Sequence, residues 1–225
     1  MKKDDMTIEK LFDTEKTTAK EYLAQYTYPW QALPHIGEMV KALGENLPEG
    51  EYEKRGEDIW VHRTASVAPT ATLKGPLILE KDVEVRPGAF IRGNVLVGKG
   101  SVVGNSTELK NVIIFDSVQV PHYNYVGDSI LGYKSHMGAS SLTSNVKSDK
   151  TLVKVHCEDG DIETGLKKFG AVLGDYVEVG CGSVLNPGTV VGSHSNIYPL
   201  SSVRGCVNKN SIYKKGGVIV EKEER

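Results

Sequence analysis

From Val61 onward an aliphatic residue recurs every six positions: Val61, Val67, Leu73, Leu79, Val85, Ile91, Val97, Val103 and Leu109. Two residues before each stands a small or aliphatic side chain, from Ile59, Ala65 and Ala71 to Ser101 and Thr107. Two five-residue steps then carry the pattern through Ile114, Val120, Val126, Leu131 and Met137. It breaks, and resumes as Leu173, Val179, Leu185, Val191, Ile197 and Val203. A period of six suits neither an amphipathic helix nor a long alternating strand. It suits a short strand and a turn, because residues two apart on a strand face the same side. Three such units close a triangle, so one coil of a parallel β-helix takes about 18 residues and successive coils lie about 4.8 Å apart. The hexapeptide class of this solenoid is left-handed, an exception to the right-handed crossover rule.

The composition agrees. Valine occurs 26 times and glycine 24 times in 225 residues, and 25 of the valines follow residue 60. Aromatic residues are 7% of the chain, as a narrow prism with little room for rings requires. Glycine follows the anchor at Gly98, Gly104, Gly127, Gly132, Gly138, Gly174, Gly180 and Gly192, where it is expected to supply the backbone freedom of a tight corner. A formal net charge of −2 argues against nucleic acid as a partner. No apolar run is long enough to span a membrane, and none follows Met1-Lys2-Lys3-Asp4-Asp5 to make a secretory signal, so a cytoplasmic protein is expected. Cys157, Cys181 and Cys206 are widely spaced and read as free thiols.

The fold class expected is therefore an all-β solenoid, a left-handed parallel β-helix over 57–213. Residues 1–56 lack the period; Ile36, Met39, Val40 and Leu43 fall at helical spacing after Pro34, and a second helix fits Thr18–Tyr26. This segment reads as an N-terminal helical cap or a side brace. Residues 144–170 form an inserted loop with an alternating stretch at Leu152–His156, and 214–225 a closing strand and tail.

Stacking the repeat places side chains. Call the faces A, B and C in chain order. Val85, Val103, Val120 and Met137 stack on face A, and Ile91, Leu109 and Val126 on face B. Glu108 and Tyr125 then occupy one position on adjacent coils, Lys110 lies one past its anchor, and His122 stands at the corner leading into face B. Arg86, Glu108, Lys110, His122 and Tyr125 are expected within about 10 Å, with His136 bordering the same groove. Arginine and lysine together hold a phosphate, and a histidine takes a proton from an ammonium so that the amine attacks a thioester.

Three runs, Val85-Arg86-Pro87-Gly88-Ala89, Gly104–Asn111 and His122–Ser129, resemble the acetyltransferase half of bacterial bifunctional N-acetylglucosamine-1-phosphate uridyltransferases, as does Met137–Asn145. Glu163–Gly174 and the solenoid after it look like the C-terminal domain of archaeal sugar-phosphate nucleotidylyl/acetyltransferases. The resemblance covers roughly 60–213. It implies a homotrimer with sites between subunits, moving acetyl from acetyl-CoA to the amine of an aminosugar 1-phosphate. His122 would be the general base, with Asn145 beside the acetyl group or the base. Arg86 and Lys110 would bind the phosphate, Tyr125 would contact the substrate and His136 stands at a substrate-side position; the chemistry of Glu108 itself suits supporting the charged histidine or binding substrate hydroxyls. Cys181 would stand by the thioester, and Arg204, Lys209, Lys214 and Lys215 could meet coenzyme A phosphates along later coils; solubilising charge is the other reading of these four. The chain departs from the family at His136 (Asn there), Val146 (Tyr) and Cys181 (Ser). The nucleotidyltransferase half has no counterpart in about 56 N-terminal residues, so that activity is not expected.

Three other functions compete. The three departures suit a non-catalytic sugar-phosphate-binding scaffold, or an O-acetyltransferase on another small molecule. A zinc enzyme of β-helical type needs converging histidines with a close pair; His35, His62, His122, His136, His156 and His194 offer none, so no metal is expected.

Overall fold

The structure, a computed structural model, describes residues 1–223. The last two residues of the tail expected over 214–225 lie outside it. The chain winds as a left-handed parallel β-helix. On face C the register aligns Val61, Leu79, Val97, Ile114, Leu131, Leu173, Val191 and Val207, all fully buried. Face A stacks Val67, Val85, Val103, Val120, Met137, Val179, Ile197 and Tyr213. Face B stacks Leu73, Ile91, Leu109, Val126, Thr143, Leu185 and Val203. Thr143 fills the place where the aliphatic pattern stops. Its buried hydroxyl accepts from the Gly127 N–H at 2.9 Å, so the coil continues through a polar residue that a search for aliphatics passes over.

The corners are not made as expected. The left-handed residue at the passage from face C to face A lies three past the anchor and is seldom glycine: Asp82, Gly100, Ser117, Lys134, Tyr176 and His194. The glycines directly after the anchors serve another purpose. A Cβ at Gly104 would stand 1.6 Å from the Pro121 carbonyl oxygen, and one at Gly98 2.6 Å from Phe115 carbon. Apart from Gly127, where a Cβ would instead meet the Tyr125 hydroxyl, they are small because the next coil's backbone passes there, not because the chain turns.

The first fifty residues lie along the outside of face C. Helix Ile36–Gly44 packs on strands Leu77–Leu79, Val95–Val97 and Glu108–Ile114, and the 3-10 turn Pro29–His35 packs on Tyr125–Leu131. A short helix occupies Lys20–Leu23. The cause is the outward row of face C: Trp60, Ile78, Leu96, Ile113, Ile130, Val172 and Val190 are apolar and buried beneath this segment. A side brace, not a lid over an open end, is therefore the observed arrangement. The edge of the first coil is covered by strand Tyr52–Gly56, antiparallel to Ile59–His62. The last coil is closed by Ile219–Glu221, antiparallel to Ser211–Tyr213.

The insertion holds an antiparallel pair, Lys154–Val155 with Ile162–Glu163, and buries Val153, Val155 and Phe169. It meets the N-terminal segment through the Met1 amine with Glu158 and through the Lys3 N–H with Asp159. No helix among the described residues is long and apolar enough to cross a membrane.

Candidate functional site

The two five-residue steps determine where the site's polar groups stand. Strands Glu108–Ile114 and Tyr125–Leu131 run without a break from face B onto face C. The shortened corner residues, Asn111 and Asp128, take left-handed backbone (φ 56° and 49°), which Asn and Asp tolerate better than most side chains. Both are buried on adjacent coils. Asp128 collects the donors: Lys110 Nζ at 2.9 Å, Asn111 Nδ2 at 3.0 Å, and Asn145 Nδ2. Asn145 Nδ2 also donates to the Tyr125 hydroxyl at 3.3 Å. Burial, then the charges of Asp128 and Glu108, push the Tyr125 phenol up, so it stays a neutral donor.

The register pairs Glu108 with Tyr125, as the stacking argument required. Glu108 is also bridged to Arg92 at 2.7 Å. Lys110, Tyr125 and Asn145 thus stand in one network, with Glu108 beside them. His122 pairs in register with Asn105 at the corner from face A to face B and is exposed. Its N–H donates to Asn124 Oδ1 at 3.0 Å and its carbonyl accepts from Ser140, so the backbone is held. No side chain among the described residues hydrogen-bonds its imidazole. Continuing that register, Ala139 and then Cys181 follow His122 on the next two coils, which puts the exposed Cys181 about 10 Å along the same ridge.

Other expected members are engaged elsewhere. Arg86, on face A, forks onto Glu84 at 2.9 and 3.2 Å and makes no hydrogen bond to the cluster; that pairing holds the Glu84 carboxyl low. His136 Nδ1 meets Glu178 at 2.8 Å, in the same outward row of face A. Arg204 lines a groove of about 290 Å³ between face B and the insertion, with Ser144, Lys147, Lys154, His156 and Asn186. Lys214 and Lys215 are exposed in the turn before the closing strand, about four coils or 19 Å along from His122. Among the described residues no three His, Cys, Asp or Glu side chains stand close enough to hold a metal ion.

Sequence reasoning overlooked Asp128, Asn111 and Arg92. The signal was available for the first two: a five-residue step at the same corner of adjacent coils marks a tightened turn, and each carries an Asn or Asp there. Arg92 stands one coil before Lys110 in the same row, and stacking alone could have found it.

The fold is a hexapeptide-repeat β-helix, and its polar cluster lies on an outer corner. The crystal structure of the polySia-specific acetyltransferase NeuO shares this fold, with a TM-score of 0.50 at 17% identity over 70% of this chain and 80% of that one. The family model described as the GMPPB C-terminal domain matches residues 73–203, more than half of the chain, and the chain belongs to that family. Among curated relatives, the bifunctional protein GlmU of Methanococcus vannielii is 37% identical over 139 residues, 61% of this chain and 33% of that protein. GlmU of Methanococcus aeolicus is 32% identical over 178 residues, 71% of this chain and 43% of that one. The bifunctional sugar-1-phosphate nucleotidylyltransferase/acetyltransferase of Sulfurisphaera tokodaii is 30% identical over 174 residues, again 43% of its length. The matches thus span between 33% and 43% of these relatives.

Proposed function

We propose that this protein transfers acetyl from acetyl-CoA to the amine of an aminosugar 1-phosphate. The observation that carries the reading is the stacked pair Glu108–Tyr125 beside Lys110 and Asn145, one corner away from His122. Family membership supports it, as does a relative whose name pairs sugar-1-phosphate chemistry with acetyl transfer. His122 takes a proton from the substrate ammonium, and the freed nitrogen pair attacks the thioester carbonyl carbon. The carbon–sulfur bond breaks as the tetrahedral intermediate collapses, and coenzyme A leaves as the thiol after taking up a proton. Lys110, with two N–H groups beyond the one on Asp128, meets the phosphate, and Arg86 joins it by leaving Glu84. Glu108, Tyr125 and His136 line the sugar. Asn145 stands at the acetyl transfer point, and Cys181, Arg204, Lys214 and Lys215 follow coenzyme A along the later coils.

Incubation with acetyl-CoA and glucosamine 1-phosphate or galactosamine 1-phosphate should release thiol, and His122→Ala should reduce the rate by about 10²-fold or more. Failure of any acceptor, amino or hydroxyl, to exceed the mutant background would overturn the reading. One observation favours a non-catalytic sugar-phosphate-binding scaffold instead: the His122 imidazole has no side-chain partner to orient it among the described residues. Calorimetry showing sugar-phosphate binding without coenzyme A binding would select that alternative. We further propose a homotrimer in the cytoplasm. The free thiols suit a reducing compartment, and exposed apolar residues on the ridge between faces A and B suit a neighbouring subunit.

A further inference from the structure

The N-terminal brace enters the polar cluster at two points. Asn111 Nδ2, which donates to Asp128, donates also to the Leu33 carbonyl at 3.1 Å. Trp30, in the same turn Pro29–His35, packs its ring 5.8 Å from that of Phe169, and the Phe169 N–H donates to the Asn145 carbonyl at 3.0 Å. Next to it, the Gly170 N–H donates to the Asp128 carbonyl at 2.8 Å.

Asp128 is 4% exposed, so water cannot replace a donor it loses. A buried carboxylate is tolerable only while its partners are in place. Its side-chain partners are Lys110, Asn111 and Asn145. A carboxylate is met by an amide through its nitrogen, which leaves Asn145 Oδ1 as the end available to a ligand.

We propose that the turn Pro29–His35 is a positioning element for the acceptor site: through Asn111 it holds Asp128, and through Asp128 it sets the Lys110 ammonium and the Asn145 amide. The functional meaning rests on the acetyltransferase reading; the mechanical claim about Lys110 does not. Asn111 and Asp128 are positioning residues, acting through Lys110 and Asn145.

The test uses the full chain and acylation of lysines by a water-soluble acetylating reagent, followed residue by residue by mass spectrometry. Lys110 is 27% exposed and ion-paired, so it should label more slowly than the exposed Lys74. Asn111→Gly keeps the left-handed corner while removing the amide, and should speed Lys110 labelling about fivefold. Trp30→Leu loosens the same turn while leaving Asn111 in place, and should act in the same direction. Thr18→Val loosens the brace elsewhere, at Glu80, and should leave Lys110 unchanged. Unchanged Lys110 labelling in both Asn111→Gly and Trp30→Leu, or equal acceleration by Thr18→Val, overturns the proposal. In a chain that turns over, Asn111→Gly should lower kcat about tenfold with KM for acetyl-CoA unchanged. Absence of turnover in the wild type sinks the acetyltransferase reading alone, since the labelling still decides the positioning.

Discussion

Glu80 is a titratable side chain that the brace buries against the solenoid. It is 1% exposed; one oxygen accepts from the Thr18 hydroxyl and Oε2 has no partner among the described residues. Burial pushes its carboxyl up. The folded state therefore prefers the protonated acid, and stability falls as pH rises from the unfolded value, about 4.3, through the raised folded value. Glu80→Gln removes the ionisation while retaining an oxygen for Thr18. Its melting temperature should exceed that of the wild type at pH 8, by roughly 2–4 °C for each kcal/mol the charge costs, and the gain should vanish near pH 4. Thermal melts across that range check it; a variant that melts lower at pH 8 contradicts the account. Cys206 is governed by the same physics: burial pushes its thiol up to about 12, whereas Cys181 is exposed on the ridge beyond His122. Glu80 as an acid at the end of a strand is plain in the sequence. That Thr18 closes over it is not, because the two are 62 residues apart and meet only through the packing of the brace.

At the scale of elements, face C is apolar on both sides. An ordinary outward position of a solenoid tolerates truncation at little cost, but Ile130 faces outward and is as fully buried as its inward neighbour Leu131. Ile130→Ala should thus destabilise by about 2–5 kcal/mol, as much as Leu131→Ala. Denaturant unfolding of the two variants decides, and a small loss for Ile130 alone would show that the brace is loosely held. The strand period was legible from valines and leucines because inward positions of a narrow prism admit little else. Thr143 escaped that pattern since a threonine whose hydroxyl bonds the previous coil fills the same space. The brace's destination was written in the same strands: runs such as Leu77-Ile78-Leu79 and Val112-Ile113-Ile114 are apolar without alternation, the mark of a sheet covered on both faces.

For the whole molecule, covering face C leaves faces A and B and the ridge between them for contact with other chains. Tyr123 is 63% exposed and Leu200 83% exposed on that ridge, large side chains with nothing upon them. Light scattering should return three chain masses, and Leu200→Glu should shift the population toward one; a monomeric wild type would refute the assembly. The six-residue period by itself determined the coil, the inward columns and the register that stacks Glu108 on Tyr125, because a repeat closed by hydrogen bonds has only one way to align its units. Stacking the repeat singled out Lys110 and Tyr125, and family resemblance added Asn145. What they touch depends on how the chain packs in three dimensions. Arg86 turns to Glu84, Lys110 to Asp128, and Leu33, from a segment without any repeat, supplies a carbonyl to Asn111. Side-chain pairing depends on which donors and acceptors burial leaves unsatisfied, and that is settled when the brace packs on the solenoid, not by spacing along the chain.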